Sequence, residues 1–207
     1  MVPAAVPMES AAAPRPLVIA SGNPGKVREF AALLAELPLE VLPQPPDLEV
    51  EETGTTFVAN AQLKAEAVAR ATGCWALADD SGLAVEALDG APGVFSARYA
   101  ATDAERIARL LAELEAATTR RAAFVAALAL ADPQGVVQLA VEGRCEGLIT
   151  EAPRGEGGFG YDPVFLVPEL GLTFAEMDKA TKARIGHRGR AFAALEPQLR
   201  ALLGAGR

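Results

Sequence analysis

Short apolar runs alternate along this chain with stretches of helical period, and polar turns separate them; that alternation predicts an α/β fold. Residues 17–20 and 39–42 read as buried strands, with a helix between them from the turn at residues 21–26 to about Glu36. A second helix is expected from about Thr56 to Thr72. The next apolar run starts at Trp75 and is expected to stop at Asp79 and Asp80, because Ser81-Gly82 is turn chemistry. Residues 104–115 place Ile107, Leu110, Leu111 and Leu114 on one side of an amphipathic helix. Two further apolar runs, 122–130 and 136–141, flank Asp132-Pro133-Gln134-Gly135 and predict a hairpin. Residues 146–149 predict another short strand, and Thr173 to Glu176 fits a capping box. A last helix, about Arg190 to Leu203, would bury Phe192, Leu195, Leu199 and Leu202.

Composition narrows this picture. A chain of 207 residues with 51% hydrophobic content supports one sizeable core rather than two. No repeat or linker divides it, so residues 15–207 are expected to form a single domain. Residues 1–14 carry Pro3 and Pro7 and no early cation; they fit a disordered tail better than a signal peptide. The net charge of −8 argues against binding a nucleic-acid polymer or an anionic membrane, while leaving room for a local basic pocket. The longest apolar run, residues 122–131, is too short to cross a bilayer. Cys74 and Cys145 lack metal-ligand spacing; both are expected to be reduced, which fits a cytoplasmic setting.

The candidate chemistry lies at the strand ends. Asp79 and Asp80 offer hard oxygen ligands of the kind Mg²⁺ prefers, though a strand ending in a solvated turn would look the same. The turn Ser21-Gly22-Asn23-Pro24-Gly25-Lys26 would aim helix N–H groups and a lysine at an anion. It lacks the spacing of a P-loop, and a purely structural connection fits equally. In the acidic loop of Glu49, Glu51 and Glu52, Glu51 could add an oxygen to a metal site if the loop folds back. Asn60 and Lys64 share a helix face, which is compatible with a site or with plain solvation. The loop of residues 155–163 carries Phe159 and Tyr161 among glycines, and a ring held so can stack on a flat base; the other reading is a mobile loop with aromatic anchors. His187, the one histidine, lies among cations, unlike a typical core histidine. No Cys or Ser has a histidine near it in sequence, so a covalent triad mechanism is not expected.

Seven segments in order resemble one family: SGNPGK (21–26), EETGTTF (51–57), NAQLKA (60–65), ADDSGL (78–83), GAPGVFSARY (90–99), GGFGYDPVF (157–165) and HRG (187–189). The family is the inosine/xanthosine triphosphate pyrophosphatases, which hydrolyse non-canonical purine nucleoside triphosphates to a monophosphate and pyrophosphate. The resemblance implies an elongated mixed β-sheet flanked by helices, two lobes with the active site in the cleft between them, and a homodimer. It further implies Asp80 as catalytic proton acceptor and, with Glu51, as ligand of Mg²⁺. Ser21, Gly22, Asn23, Pro24, Gly25, Lys26 and Lys64 would hold the triphosphate, with Ser81 close by. Phe159, Gly160, Tyr161, Asp162, Lys182, His187 and Arg188 would form the nucleotide and base pocket. Two alternatives stand beside this reading: a pyrophosphatase for other modified nucleotides, and a nucleotide-binding sensor that does not hydrolyse.

Overall fold

A computed structural model describes residues 14–204; the tail expected over residues 1–14 falls, but for Pro14, outside the described residues. The first strands and helices are β1 (Arg15–Ala20), α1 (Pro24–Leu33), β2 (Leu39–Pro43), α2 (Phe57–Thr72) and β3 (Trp75–Val85). They are followed by α3 (Asp103–Glu113), β4 (Arg121–Ala131), β5 (Val137–Ile149), β6 (Phe165–Val167), β7 (Leu172–Thr173), α4 (Lys179–Ile185) and α5 (His187–Gly204). The seven strands form one mixed sheet in the order β2-β1-β3-β4-β5-β6-β7. The first three run parallel and the rest pair antiparallel, which makes the fold α/β.

Each face of the sheet has its own cover. On one face, Ala61, Ala65 and Ala69 of α2 meet Ala76 and Ala78 of β3 and Ala127, Ala129 and Ala131 of β4. The other face carries two cores. One gathers Leu77, Leu128 and Leu130 under Phe30 and Leu34 of α1 and Phe192, Leu195 and Leu199 of α5. The second gathers Leu83, Val85, Phe124 and Cys145 with Leu110 and Leu114, Phe165 and Phe174. Side chains on one face of a strand recur every second residue. Between Leu77 and Leu83 that face of β3 therefore presents Asp79 and Ser81. The two lobes are two apolar cores on one sheet, and the polar gap between them is the cleft.

Topology opens the strand at the same point. β1 ends at Ala20 opposite Ala78, so from Asp79 onward β3 has no strand on that side. Helices α1 and α2 lie on opposite faces, which makes the space beyond β1 and β3 a switch point of the kind where α/β sheets bind ligands. A short 3₁₀ segment, Gly93–Arg98, lines the free edge: Ser96 Oγ accepts from Leu83 N at 2.9 Å and donates to Gly93 O at 2.6 Å.

Four local expectations need correction. Asp79-Asp80-Ser81-Gly82 is not a turn, because all four residues pair with β4, opposite Leu128, Ala127, Ala126 and Val125. Gly82 serves close approach instead: a Cβ there would lie 2.5 Å from both Gly93 O and Ser96 Oγ. Residues 146–149 are the end of the long β5, not a strand of their own. The Thr173–Glu176 capping box does not start a helix. Glu176 accepts from Thr173 N at 2.8 Å, but the Thr173 hydroxyl donates to Arg154 O, and α4 starts later under an Asp178 cap. The final helix begins at His187, three residues before its expected start. The hairpin turn is as expected, with Asp132 Oδ1 accepting from Gln134 N and Val136 N at 3.0 Å.

Candidate active site

Adjacent residues of a strand face opposite ways, so Asp79 and Asp80 enter different surroundings. On the cleft side, Asp79 Oδ2 receives Lys26 Nζ at 2.7 Å and the Ser81 hydroxyl at 3.0 Å, with Arg188 Nε 3.5 Å away. Arg188 also donates to Ser81 Oγ at 2.7 Å and to Glu29 Oε2 at 3.1 Å. Lys182 joins the row at 2.6 Å from Asp162 Oδ2 and 3.4 Å from Glu29 Oε1. Burial alone would raise the Asp79 carboxyl, but the Lys26 ammonium and Arg188 guanidinium hold it well below the usual carboxylate range. Lys26 is lowered, chiefly by burial, although Asp79 opposes this.

On the α2 side, Lys64 spans the gap to the strand. Its ammonium donates to Asp80 Oδ1 at 3.0 Å, to the Asp79 backbone carbonyl at 3.0 Å and to Glu52 Oε1 at 2.7 Å. Arg98 holds the other oxygen of Glu52 at 2.7 Å. Asp80 Oδ2 is buried and has no partner among the described residues. Burial raises the Asp80 carboxyl in spite of Lys64. Burial would lower Lys64, but Asp80 and Glu52 outweigh it and raise the ammonium.

The turn after β1 is built as the sequence suggests, with one difference. Asn23 Oδ1 already accepts from Gly25 N at 2.8 Å and Lys26 N at 3.3 Å, so two of the N–H groups at the start of α1 are occupied by its own cap. Ser21 Oγ accepts from Asn23 N, while Gly22 stands open with nothing within 4 Å of a Cβ. Pro24 opens α1, where its missing N–H costs nothing.

Across the cleft, the Phe159 ring comes to 3.0 Å of where a Cβ on Gly25 would stand. The same ring has Lys182 Nζ 5.1 Å and Arg188 Cζ 5.4 Å from its centre. Asp162 Oδ2 accepts from Phe159 N at 2.9 Å, which anchors the ring to Lys182. Gly160 follows Phe159 on the outer turn of this loop.

Several candidates land where the sequence does not show them. Glu51 is exposed, with no side-chain partner among the described residues, and its neighbour Glu52 is the acid that shares Lys64 with Asp80. Tyr161 points into the second core, donating to Ser96 O at 3.0 Å. His187 stacks on Phe124 at 4.7 Å and faces Phe174 at 6.0 Å; its surroundings are aromatic, and burial holds it well below the ordinary imidazole range, hence neutral. Asn60 is fully buried, and its Oδ1 accepts from Gly54 N at 2.8 Å to fold the acidic loop onto α2. Glu29 is missed by motif reading, yet it bridges Lys182 and Arg188. Its signal is its position three residues after Lys26, on the same side of α1. Cys74 and Cys145 are both free, and among the described residues no helix is long and apolar enough to cross a membrane.

Known proteins resemble this chain over most of its length. The model of the Ham1 family matches residues 17–198. A dITP/XTP pyrophosphatase of Parasynechococcus marenigrum is 63% identical over 191 residues, which is 92% of this chain and 98% of that relative. Another, from Synechococcus sp. (strain CC9311), is 66% identical over 189 residues, covering 91% of this chain and 92% of its own. A HAM1 protein from Coxiella burnetii superposes with a TM-score of 0.83 at 46% identity, over 90% of this chain and 99% of that one. The Ham1 protein of Staphylococcus aureus superposes at 0.81 with 41% identity and the same coverage. Matched over most of its length in sequence and in structure, this chain belongs to the Ham1 family.

Proposed function

We propose that this chain hydrolyses the non-canonical purine nucleoside triphosphates ITP, dITP and XTP to the monophosphate and pyrophosphate. Its relatives' dITP/XTP pyrophosphatase activity supports the reading. The observation that carries it is Asp80, whose one oxygen accepts from Lys64 while the other is buried on the α2 side of β3 without a partner among the described residues. A carboxylate so placed can take a proton from a water attacking the α-phosphorus, and a raised pKa makes it a better base than an ordinary aspartate.

Lys26 and Lys64 would meet the charge of the triphosphate, with Ser21, Gly22, Asn23, Pro24 and Gly25 framing it and Ser81 beside it. Phe159 would stack on the base, with Gly160, Tyr161 and Asp162 shaping its loop. Arg188 Nε is buried 3.5 Å from Asp79 Oδ2 without a hydrogen-bond partner among the described residues; with Lys182, Arg188 would donate to the 6-oxo group of hypoxanthine or xanthine. His187 would serve that pocket from behind, as a neutral ring fixing the start of α5.

The chain's residues also suit a divalent cation, for which we propose Mg²⁺. Among the described residues no three His, Cys, Asp or Glu side chains cluster to hold a metal. Mg²⁺ commonly needs only one or two carboxylates when it arrives with phosphates and keeps several waters. Asp80 would supply the free oxygen, and Glu52, or Glu51 after a loop movement, the second acid. Bound there, the cation would neutralise charge on the departing pyrophosphate. We further propose a cytoplasmic homodimer, with residues 15–207 as its one domain and residues 1–14 as a tail outside it.

Pyrophosphate release from a panel of ITP, dITP, XTP, ATP, GTP and modified pyrimidine triphosphates, with Mg²⁺ and with chelator, tests this function. Rapid release from the first three alone, abolished by chelation, is expected. Preference for a modified pyrimidine would assign a different substrate class, and binding without release would make the protein a sensor.

A further inference from the structure

The loop that carries Phe159 is tied down from outside the cleft as well as from within. Inside, Asp162 Oδ2 accepts from Phe159 N and pairs with Lys182. Outside, Asp103 Oδ2 accepts from Gly160 N at 2.7 Å, across 57 residues of sequence. Gly160 sits at φ 62°, a backbone state that side-chain-bearing residues rarely adopt and that turns its N–H toward α3. Tyr161, next in the chain, is packed into the second core, but Gly160 itself has no side chain to pack. Between α3 and the loop lies a mainly apolar hollow of about 550 Å³, lined by Ala104, Ile107, Ala108 and Leu111 and by Pro153 and Pro163. Asp103 supplies a polar anchor at one rim of that hollow.

Asp103 is itself firmly held. It lies in the first turn of α3, behind a complete capping box in which Thr102 and Glu105 satisfy each other's backbone N–H groups. Its second oxygen pairs with Arg106 at 2.7 Å, and Arg106 in turn donates to Ala100 O. A rigid helix end therefore fixes a point on a glycine-rich loop, one residue away from the ring that closes on Gly25. We propose that Asp103 is a positioning residue: by holding Gly160 it sets the height of the Phe159 ring over the cleft, and so the affinity for the substrate's base. This rests on the function proposed above, in which Phe159 meets the base.

Two variants and two readouts test it. Asp103→Ala removes the acceptor, whereas Asp103→Asn keeps one in the amide oxygen. Amide hydrogen exchange at Gly160 should quicken in Asp103→Ala and return close to the parent rate in Asp103→Asn. The KM for ITP should rise about five- to tenfold in the alanine variant, with kcat within about twofold, and the asparagine variant should recover most of the loss. Unchanged exchange at Gly160 would overturn the tether. A fall in kcat and Tm together, with KM unmoved, would reduce Asp103 to a general support of α3 and overturn the positioning role. If the parent released no pyrophosphate from ITP, the proposed function would fail on that result, and the exchange rates would still decide whether Asp103 holds the loop.

Discussion

Asp79 and Asp80 differ by one position in β3 and by almost everything that surrounds them. Asp79 faces the cleft with Lys26, Ser81 and Arg188 all gathered on Oδ2, while Oδ1 is buried without a partner among the described residues. Asp80 faces α2 with one cation on one oxygen and nothing on the other. Burial acts on both carboxylates, but in Asp79 the two cations overwhelm it, and in Asp80 it prevails over Lys64. Identical side chains thus take opposite shifts from their surroundings. Each acid keeps one buried oxygen without a partner among the described residues; what separates them is charge, which makes Asp79, held ionised by two cations, a fastener and leaves Asp80 available for chemistry.

The sharpest way to break this comparison is Asp80→Asn. It keeps the shape and the contact to Lys64 while losing the base, and should cost roughly 10²–10⁴-fold in kcat with Tm nearly unchanged. Turnover within about tenfold of the parent would move the proton acceptor elsewhere. Asp79→Asn should do the reverse, with stability failing first. Leaving Lys26 without its counter-charge, and Arg188 with Glu29 alone, should cost about 3–5 kcal/mol, read by urea unfolding. A variant as stable as the parent would deny Asp79 its role as fastener.

A pH titration sharpens the same contrast. In the metal-free protein the Asp80 carboxyl should titrate above the ordinary aspartate range, read by its carboxyl chemical shift. Asp79 has its folded pKa depressed. Its contribution to stability is complete above the unfolded value, about 3.9, and is lost as pH falls toward the lower folded value. The two titrations should therefore lie on opposite sides of the ordinary range, and coincident titration would contradict the opposed shifts. Arg188→Ala should have a smaller effect, eroding the preference for ITP over ATP by about 5–150-fold, the worth of one buried unpaired group. An equal loss on both substrates would make Arg188 a phosphate ligand. Smallest of all, deleting residues 1–14 should leave Tm and kcat unchanged; a lower Tm would show that the tail docks on the domain.

Much of the fold is legible because it rests on local signals. The α2 boundaries follow from a Thr56 cap and Gly73 in the left-handed region, and the β4–β5 turn follows from Asp132 and Gly135. The motifs also bring most of the candidate residues to one cleft. What stays hidden depends on partners distant in sequence. Asp-Asp-Ser-Gly has turn chemistry, but a long ladder with β4 keeps it extended. The cations around His187 suggest a polar setting, yet the start of α5 rests on β5 at Gly143, where a Cβ would meet Ala191 N at 2.2 Å. That seat presses His187 into the phenylalanine cluster. Glu51 and Glu52 cannot be told apart by type or spacing; only the loop's path over α2 selects Glu52.

The alanines between α2 and the sheet have a consequence for how this sequence can drift. Nine of them meet with Val18 and Val68, and no alanine has a rotamer to adjust. A larger residue cannot be accommodated by rotation, so Ala127→Val or Ala65→Val should lift α2 and carry Lys64 away from Asp80, with about 1–3 kcal/mol of overpacking besides. In a saturation library selected for activity, these chemically silent positions should tolerate substitution as poorly as the charged residues of the cleft. Free acceptance of valine or leucine there would show that α2 can shift without disturbing its lysine.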